Sequence, residues 1–386
     1  MSNNKIKILI AGEEVCGYIK SYQNAFQKLG YTCSSAIHNS DPRFPDYEYD
    51  FDLRKYSVSL KPSFLGIKIS FLEKLFFKIK QSRIKAHFVK KEAIKYDVVI
   101  YLWKTLLNNY SDLEILKKNN SKLLFLFVGS EVRYNKFFLK KYNMNGLNLE
   151  FLSSHQFTTE SIKKRLKYIR TAEKYASLIY SVPDQSGLQS IPYQHLHVPM
   201  NIKSFQFKNN ERKVPVIIHA PGNPGKKGTD VIENTLEKLK NEGLQFQYKK
   251  LENIPNNQVV DFLMNADILV DELIFHGPAT LSFEAMLCGC AVATRHLTEH
   301  RNIFDPPVID ITPSNIYEKL KTLINDFDLQ QKYIKDGRRY VEQHNDVNIL
   351  AKNMLSNLKN PREADYFPKL ELELFNETDK KILSKY

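Results

Sequence analysis

The sequence is short of cysteine, tryptophan and acid. Its 386 residues hold four cysteines and one tryptophan, and 43 Asp and Glu stand against 56 Lys and Arg, a net charge of +13. The cysteines, Cys16, Cys33, Cys288 and Cys290, are scattered along the chain. So sparse a set excludes a disulfide-stapled scaffold and predicts reduced thiols in a cytoplasmic protein. Cys288-x-Cys290 lacks the spacing and the further ligands of a zinc site. His195-x-His197 likewise has no acid or further histidine at ligand spacing. With 14 Gly and 16 Pro the chain is neither collagen-like nor low-complexity. No apolar run reaches the ~18 residues of a membrane-spanning helix. The polar start, MSNNKIKILIAG, has no apolar core segment or cleavage site, so no signal peptide is expected.

What is present is enough apolar residue, 42%, to fill two cores. Single cores stop growing near ~250–300 residues, so two domains are predicted. Ile6 to Ala11 is a continuous apolar run, followed by a Gly-containing loop, a helix over 19–29, Gly30 and a second strand over 31–37. This is how an α/β sheet begins, its strands buried on both faces. Further strands are predicted over 97–103, 122–128 and 177–181, with helices over 113–118 and 159–175. After Pro199 the pattern restarts. Strands are expected over 214–219, 246–251, 267–270, 291–294 and 308–311, and helices over 258–264, 281–288, 315–325, 329–344 and 348–358. The helix after Thr229 has Asp230 and Glu233 at capping-box spacing. The boundary falls near residues 195–210.

Charge is concentrated. Residues 54–95 hold 12 Lys and Arg and two acids, a surplus of +10. Leu72, Leu75, Phe76 and Ile79 recur there at helical spacing, with Lys74, Lys78, Arg83 and Lys85 mostly on other faces. A basic amphipathic helix of this kind suits an anionic membrane surface or docks on its own sheet. Abundant aromatics with a positive charge also suit nucleic acid, but they lie in apolar strands and helices and no nucleic-acid module is visible. No nucleic-acid partner is expected.

Two stretches point to chemistry. Pro221–Thr229, PGNPGKKGT, follows a strand and opens a helix. Its glycines let backbone approach a ligand, the helix start offers N–H groups, and its lysines neutralise charge, so a phosphate or diphosphate is the expected guest. It is not a Walker A loop. In Asp271–Val292, Glu284 stands inside an otherwise apolar helix, where a carboxylate is costly without partners. Facing a cleft, it could accept two ribose hydroxyls. An Asp50-x-Asp52 pair has the spacing of metal-dependent transferases but lies in a polar loop, and no metal is expected.

These stretches resemble the retaining GT-B glycosyltransferases of family 4. HAPGNPGKKGTDVIENTLEKLK (219–240) resembles the family's nucleotide loop, NADILVDELIFHGPATLSFEAMLCGCAVAT (265–294) its E-x7-E region, and DGRRYVEQHND (336–346) its closing helix. VGSEVR (128–133) and HVPMN (197–201) resemble the family's G-S-D-x-R stretch and the start of its interdomain linker. The resemblance implies a GT-B fold, two Rossmann-like parallel-sheet α/β domains facing a cleft. Residues 1–200 would bind the acceptor and contain the basic segment 54–95. Residues 201–350 would bind a nucleotide-sugar, and residues 351–386 would pack back on the first domain.

The resemblance further implies sugar transfer with retention, from a UDP- or GDP-sugar to a saccharide or lipid-linked acceptor, without metal or other cofactor. The setting would be cell-surface polysaccharide or glycolipid synthesis, in the cytoplasm or at the inner face of the membrane. Lys227, Glu284 and His276 would be the catalytic residues. Gly222, Asn223, Lys226, Lys227, Gly228, Thr280, Leu281, Ser282 and Glu284 would hold the donor. Gly12, Glu13, Gly17, Ser130, Glu131 and Arg133 would form an acceptor or phosphate loop on the other domain. The chain departs from the family at His276, where a first glutamate is usual, at Val128, where a histidine is usual, and at Gly222, where an arginine is common. The first departure is read as altered donor preference. The alternatives are a catalytically inactive GT-B-like binding protein and a basic nucleic-acid-binding protein.

Overall fold

The computed structural model describes residues 6–44, 46–54, 71–144, 157–297 and 304–386, with the backbone alone for residues 71–80 and Asn257. Two sheets organise it, and every strand pairing in them is parallel. The first contains β1 (Lys7–Gly12), β2 (Thr32–Ile37), β3 (Phe51–Asp52), β4 (Val98–Leu102), β5 (Lys122–Phe127), β6 (Leu178–Ser181) and β7 (Gln194–His195), in the order β3-β2-β1-β4-β5-β6-β7. The second contains β8 (Val216–His219), β9 (Gln247–Lys250), β10 (Ile268–Val270), β11 (Ala291–Thr294) and β12 (Ile309–Asp310), in the order β12-β11-β10-β8-β9. The all-apolar runs of β1, β4 and β5 are buried on both sides, as parallel strands covered by helices must be.

In each sheet the first strand has neighbours on both sides, and the order reverses there. The crevice at the carboxyl ends of such a switch point is where open α/β sheets bind ligands. In the first domain it lies between the loops that follow β1 and β4. In the second it lies between the loops that follow β8 and β10. The loops singled out in the sequence, Gly12–Gly17 and Pro221–Gly228, occupy these crevices.

After the second domain the chain returns. Val347, Ala351, Met354 and Leu355 of the helix Val347–Lys359 share a core with Ile19, Tyr22 and Phe26 of the helix Tyr18–Lys28. Ile382 and Leu383 pack in the core that holds Ile162, Leu166 and Ile169 of the helix Thr159–Tyr175. A third apolar cluster joins the domains directly: Phe138 and Met144 meet Ile274, Phe275 and Leu297.

Several local expectations change. The capping box at Asp230 and Glu233 does not form. Gly228, in a left-handed conformation, caps the helix Thr229–Asn241, and Glu233 instead accepts from Tyr248 Oη and pairs with Lys250. Phe51–Asp52 forms a short edge strand where a loop was expected. Asp50 there is consumed by Ser35 and Gln23, and Asp52 by Arg54. The basic segment forms the helix Phe71–Lys91. Residues 55–70 and the side chains of Leu72, Lys74, Leu75, Phe76, Lys78 and Ile79 lie outside what is described. Further along, Phe88 and Val89 are buried in the sheet's core, while Lys85 donates to His38 Nδ1 at 2.9 Å rather than facing solvent. No described helix is long and apolar enough to cross a membrane.

Candidate functional site

The second domain's crevice is built around an acid pair at the end of β10. Lys227 forms an ion pair with Asp271 and lies 3.6 Å from Glu272. Asp271 also accepts from Ser282 Oγ at 2.6 Å. Although burial opposes it, the Lys227 charge and hydrogen bond hold the Asp271 carboxyl below its ordinary range. Lys227 therefore enters the site already neutralised, and Ser282 is engaged as well. The loop geometry brings this about. Asn223 caps the short helix Pro224–Lys227 by accepting from Lys226 N, and Lys227 O accepts from Leu273 N at 3.2 Å. Gly228 allows that contact, since a Cβ there would sit 3.0 Å from Leu273 Cβ at a φ of +72°. Gly222 is exposed, with open space around its Cα.

Lys226 has a different environment. Among the described residues it makes no ion pair; its Nζ lies 5.5 Å from the centre of the Phe275 ring. The Arg133 guanidinium, from the first domain, lies 4.5 Å from the same ring. Burial and the neighbouring Arg133 push the Lys226 ammonium below its ordinary range, against the pull of Glu272. Arg133 is 8% exposed and is held by Asn135 Oδ1 and Gln185 Oε1. Two cations drawn from opposite domains thus flank one phenyl ring.

Glu284, 4% exposed, points both carboxylate oxygens at Asn256 Nδ2, at 3.1 and 3.2 Å. Burial raises its pKa to about 7, partly offset by Asn256 and Arg43. It lines a cavity of about 450 Å³ whose walls come from both domains, Cys16, Phe44 and Tyr47 on one side and Asn256 and Thr280 on the other. Tyr18 Oη and Thr280 Oγ1 bridge the domains at 2.9 Å. Leu281 and Ser282 occupy the first turn of the helix Thr280–Cys288, whose cap, Ala279, supplies no side-chain hydrogen bond. His276 lies apart from Glu284. Its Nδ1 accepts from Leu297 N at 3.2 Å, and its ring faces His296 and lines a small cavity with His195 and His197.

The loop after β1 is laid out differently from the expectation. The start of the helix Tyr18–Lys28 is already filled. Glu14 accepts from the backbone N–H groups of Val15, Ile19 and Lys20 and from Tyr49 Oη. A carboxylate at that position takes the place an anionic ligand would occupy. Glu13 pairs with Lys104 across the crevice and accepts from Asn39. Gly12 lets the turn after β4 come close, since a Cβ would lie 2.0 Å from Leu102 O, at a φ of +138°. Gly17 begins the helix at φ +76° beneath Tyr47. Ser130 and Glu131 line a separate cavity of about 920 Å³ beside this turn.

The residues that sequence reasoning missed are partners: Asn256, Asp271, Glu272, Glu14 and Arg43. The acids at the end of β10 carried a signal, since adjacent carboxylates ending a buried strand need a cation. Asn256, 28 residues before Glu284, carried none.

No protein-family model matches the chain, and no curated protein sequence does. Solved structures do match. A sucrose-phosphate synthase from Thermosynechococcus elongatus aligns with a TM-score of 0.61 at 13% identity, over 92% of this chain and 98% of that one. TarM aligns with a TM-score of 0.59 at 8% identity, over 93% and 99%. An alpha-glucosyltransferase in complex with UDP and a mismatch-containing DNA aligns with a TM-score of 0.56 at 12% identity, over 92% and 100%. At these identities the likeness is one of fold: two Rossmann-like parallel-sheet domains in the GT-B arrangement.

Proposed function

We propose that this chain is a glycosyltransferase that takes a nucleotide-sugar donor in the crevice of its second domain. The observation that carries the reading is Glu284, a buried carboxylate that lines a two-domain cavity together with Thr280, at the start of its own helix. A ribose with two adjacent hydroxyls satisfies both oxygens of Glu284 and displaces the Asn256 amide. The diphosphate then falls toward Lys226 and Arg133, whose mutual repulsion an anion relieves, and toward the first-turn N–H groups of the helix Thr280–Cys288. Lys227 acts through Asp271, whose second oxygen orients Ser282. These cations supply the leaving-group stabilisation that a metal would otherwise give, so transfer is proposed to be metal-independent.

In the reaction the bond from the anomeric carbon to the diphosphate oxygen breaks. The acceptor oxygen bonds to that carbon, and its proton passes to the leaving diphosphate. Entry of the acceptor on the face the diphosphate leaves retains configuration. The sucrose-phosphate synthase and alpha-glucosyltransferase likenesses support sugar transfer; UDP and DNA are ligands of that latter protein. A saccharide or lipid-linked acceptor is proposed here, the lipid-linked form favoured by the surplus of +10 in residues 54–95.

Thermal-shift and calorimetric titrations with UDP-glucose, GDP-mannose and ADP-glucose test the donor. One of them is expected to stabilise the wild type, since a ligand far above its Kd raises stability by mass action. Glu284→Ala and Lys226→Ala should abolish the shift while remaining folded. The absence of stabilisation by every nucleotide-sugar rejects the reading. Co-sedimentation with anionic vesicles tests the lipid-linked acceptor; recovery entirely in the supernatant counts against it.

A further inference from the structure

The His195-x-His197 pair of the sequence meets a third histidine in the fold. His195 ends β7, and His197 follows where the chain crosses to the second domain. His344 closes the helix Phe327–His344, just before the chain crosses back. The rings of His197 and His344 stack with their centres 6.2 Å apart, and the His195 ring lies 4.5 Å from that of His197. The Phe304 ring lies within 6.0 Å of all three. Both crossings between the domains thus carry an imidazole, and the imidazoles meet. Among the described residues no such group has the arrangement of a metal site.

The three histidines line a cavity of about 390 Å³ that shares no lining residue with the one that holds Glu284. Its walls come from both domains. Tyr22 and Tyr180 belong to the first and Gln343 and His344 to the second, and the returning helix Val347–Lys359 closes it.

Its charge is one-sided. Arg362 is the one formally charged residue of the lining, and no carboxylate lines it. Asp365, the acid alongside, is engaged: it accepts from Arg362 Nη1 and Nη2 at 2.7 Å and from His195 N at 2.8 Å. His195 Nδ1 lies 3.0 Å from Tyr366 Oη. Among the described residues no hydrogen bond ends on the rings of His197 or His344, or on the side chains of Gln343 and Asn353.

Burial and the neighbouring His344 push the His197 imidazole down to about 4, with Arg362 acting in the same direction and Asp365 against it. Burial also lowers His344. The other titratable neighbours stay uncharged near neutral pH. Tyr340, on the helix of His344, and Tyr22, Tyr180 and Tyr366 are phenols that burial pushes upward. Asp305, next to Phe304, is taken by His296.

The chemistry selects the ligand. Imidazoles, side-chain amides and a guanidinium offer N–H donors, and a phosphate group takes donors alone. A cation would meet Arg362 and no carboxylate of the lining. Two stacked imidazoles repel each other when both are protonated, and an anion beside them removes that repulsion. Ile349, Leu350 and Met354 of the same lining give an apolar surface for a short carbon chain.

We propose that this cavity binds a small phosphate dianion, free or carried on a short ester, through His197 and His344 beside Arg362. The binding does not rest on the transferase reading.

Calorimetric titrations of the full chain with sulfate, inorganic phosphate and glycerol 3-phosphate test it, with glycerol and glucose as the neutral comparison. The donor crevice attracts the same anions, so each titration is repeated in Lys226→Ala. Saturable anion binding is expected in both proteins. Sulfate keeps its charge over the range used, so its affinity reports the imidazoles. It should be tighter at pH 5.5 than at pH 7.5, with a slope of up to about tenfold per unit for each proton taken up. His344→Gln should flatten that slope and weaken binding about tenfold. Asn353→Ala, at an exposed position, should weaken binding without touching the fold, and circular dichroism checks both variants. Tighter binding of glycerol 3-phosphate than of phosphate identifies an ester as the occupant, and equal binding identifies the free ion. Four results overturn the proposal: no anion binding left in Lys226→Ala, neutral compounds binding as well as anions, sulfate affinity independent of pH, or unaltered affinity in both His344→Gln and Asn353→Ala. A separate UDP-glucose titration keeps the two readings apart. Anion binding at the histidines without nucleotide-sugar binding leaves this site standing and removes the transferase, and the reverse result removes this site.

Discussion

The two walls of the cleft solve the problem of buried charge in opposite ways. On the second domain the buried groups Lys227, Asp271 and Glu284 each have a partner within the protein. Lys227 is matched by Asp271 and Glu272, Ser282 by Asp271, and Glu284 by Asn256. On the first domain, Glu131, Arg165 and Tyr168 each keep one buried atom unmatched. The paired wall is stable without ligand, and a ligand must displace a partner to enter. The three unmatched atoms bear a desolvation cost that the paired groups do not. The difference teaches that charge at a predicted site does not by itself identify the group that meets the ligand. Lys226, which makes no ion pair among the described residues, is therefore proposed to meet the ligand, where the sequence favoured Lys227.

The sharpest test of this contrast sets the adjacent lysines against each other. Lys227→Ala leaves Asp271 buried beside Glu272, with Ser282 as its one remaining side-chain hydrogen-bond partner among the described residues. Breaking a buried pair in this way costs about 3–5 kcal/mol. Lys226→Ala removes a cation with no ion pair among the described residues and should leave the melting temperature close to wild type while nucleotide-sugar affinity falls. The pH dependence adds a sign. Asp271 is held below its unfolded pKa, so its contribution is present above the unfolded carboxyl value of ~3.9 and is lost as pH falls through the folded value. Lys227→Ala should lose that part of the acid slope. Equal melting temperatures in the two variants would break the comparison.

A smaller effect concerns Glu284, whose pKa is raised to about 7 by burial. The ionised form accepts ribose hydroxyls, and UDP-glucose has no group of its own titrating near that pH. Calorimetry should therefore show UDP-glucose affinity rising through pH 7, with a slope approaching tenfold per unit below it and a plateau above. Glu284→Gln should flatten the profile. Stability of the ligand-free protein moves the other way. A raised carboxyl pKa contributes stability fully present below the unfolded value of ~4.3 and lost as pH rises through about 7. Affinity that falls with rising pH would show that the neutral acid binds.

Much of this was legible in the sequence, and for a physical reason. Strands buried on both faces need uninterrupted apolar runs, so β1, β4, β5, β8, β10 and β11 stand out. A carboxylate inside the apolar helix Thr280–Cys288 is conspicuous for the same reason. What stayed hidden was pairing. Nothing adjacent in sequence links Glu284 to Asn256 or Lys227 to Asp271, 44 residues away. Glu14 was hidden in another way, since a glycine-containing loop before a helix reads as a phosphate site whether or not a neighbouring carboxylate already fills it. The single tryptophan, Trp103, was visible from the outset, but its left-handed backbone and its place beside Gly12 are properties of the turn after β4.

The smallest expected effect tests whether the two walls act together. Tyr18 Oη and Thr280 Oγ1 form a hydrogen bond across the cleft. Tyr18→Phe keeps the buried ring and deletes the bond, so about 0.5–1.5 kcal/mol of stability is at stake. The melting temperature should fall by a few degrees at most. The informative measurement is coupling. Any influence of bound donor on anion affinity at the histidine-lined cavity must be matched by an equal influence of the anion on donor affinity. The Tyr18–Thr280 bond joins the start of the helix Tyr18–Lys28 to the first turn of the helix that carries Glu284, so it can transmit such an influence. In the wild type, glycerol 3-phosphate titrations with and without UDP-glucose should give different affinities for the ester. In Tyr18→Phe that difference should shrink, with affinity in the absence of donor unchanged. An undiminished difference would place the coupling elsewhere, in the Phe138–Phe275 contact or in Arg133, which reaches the same ring from the first domain.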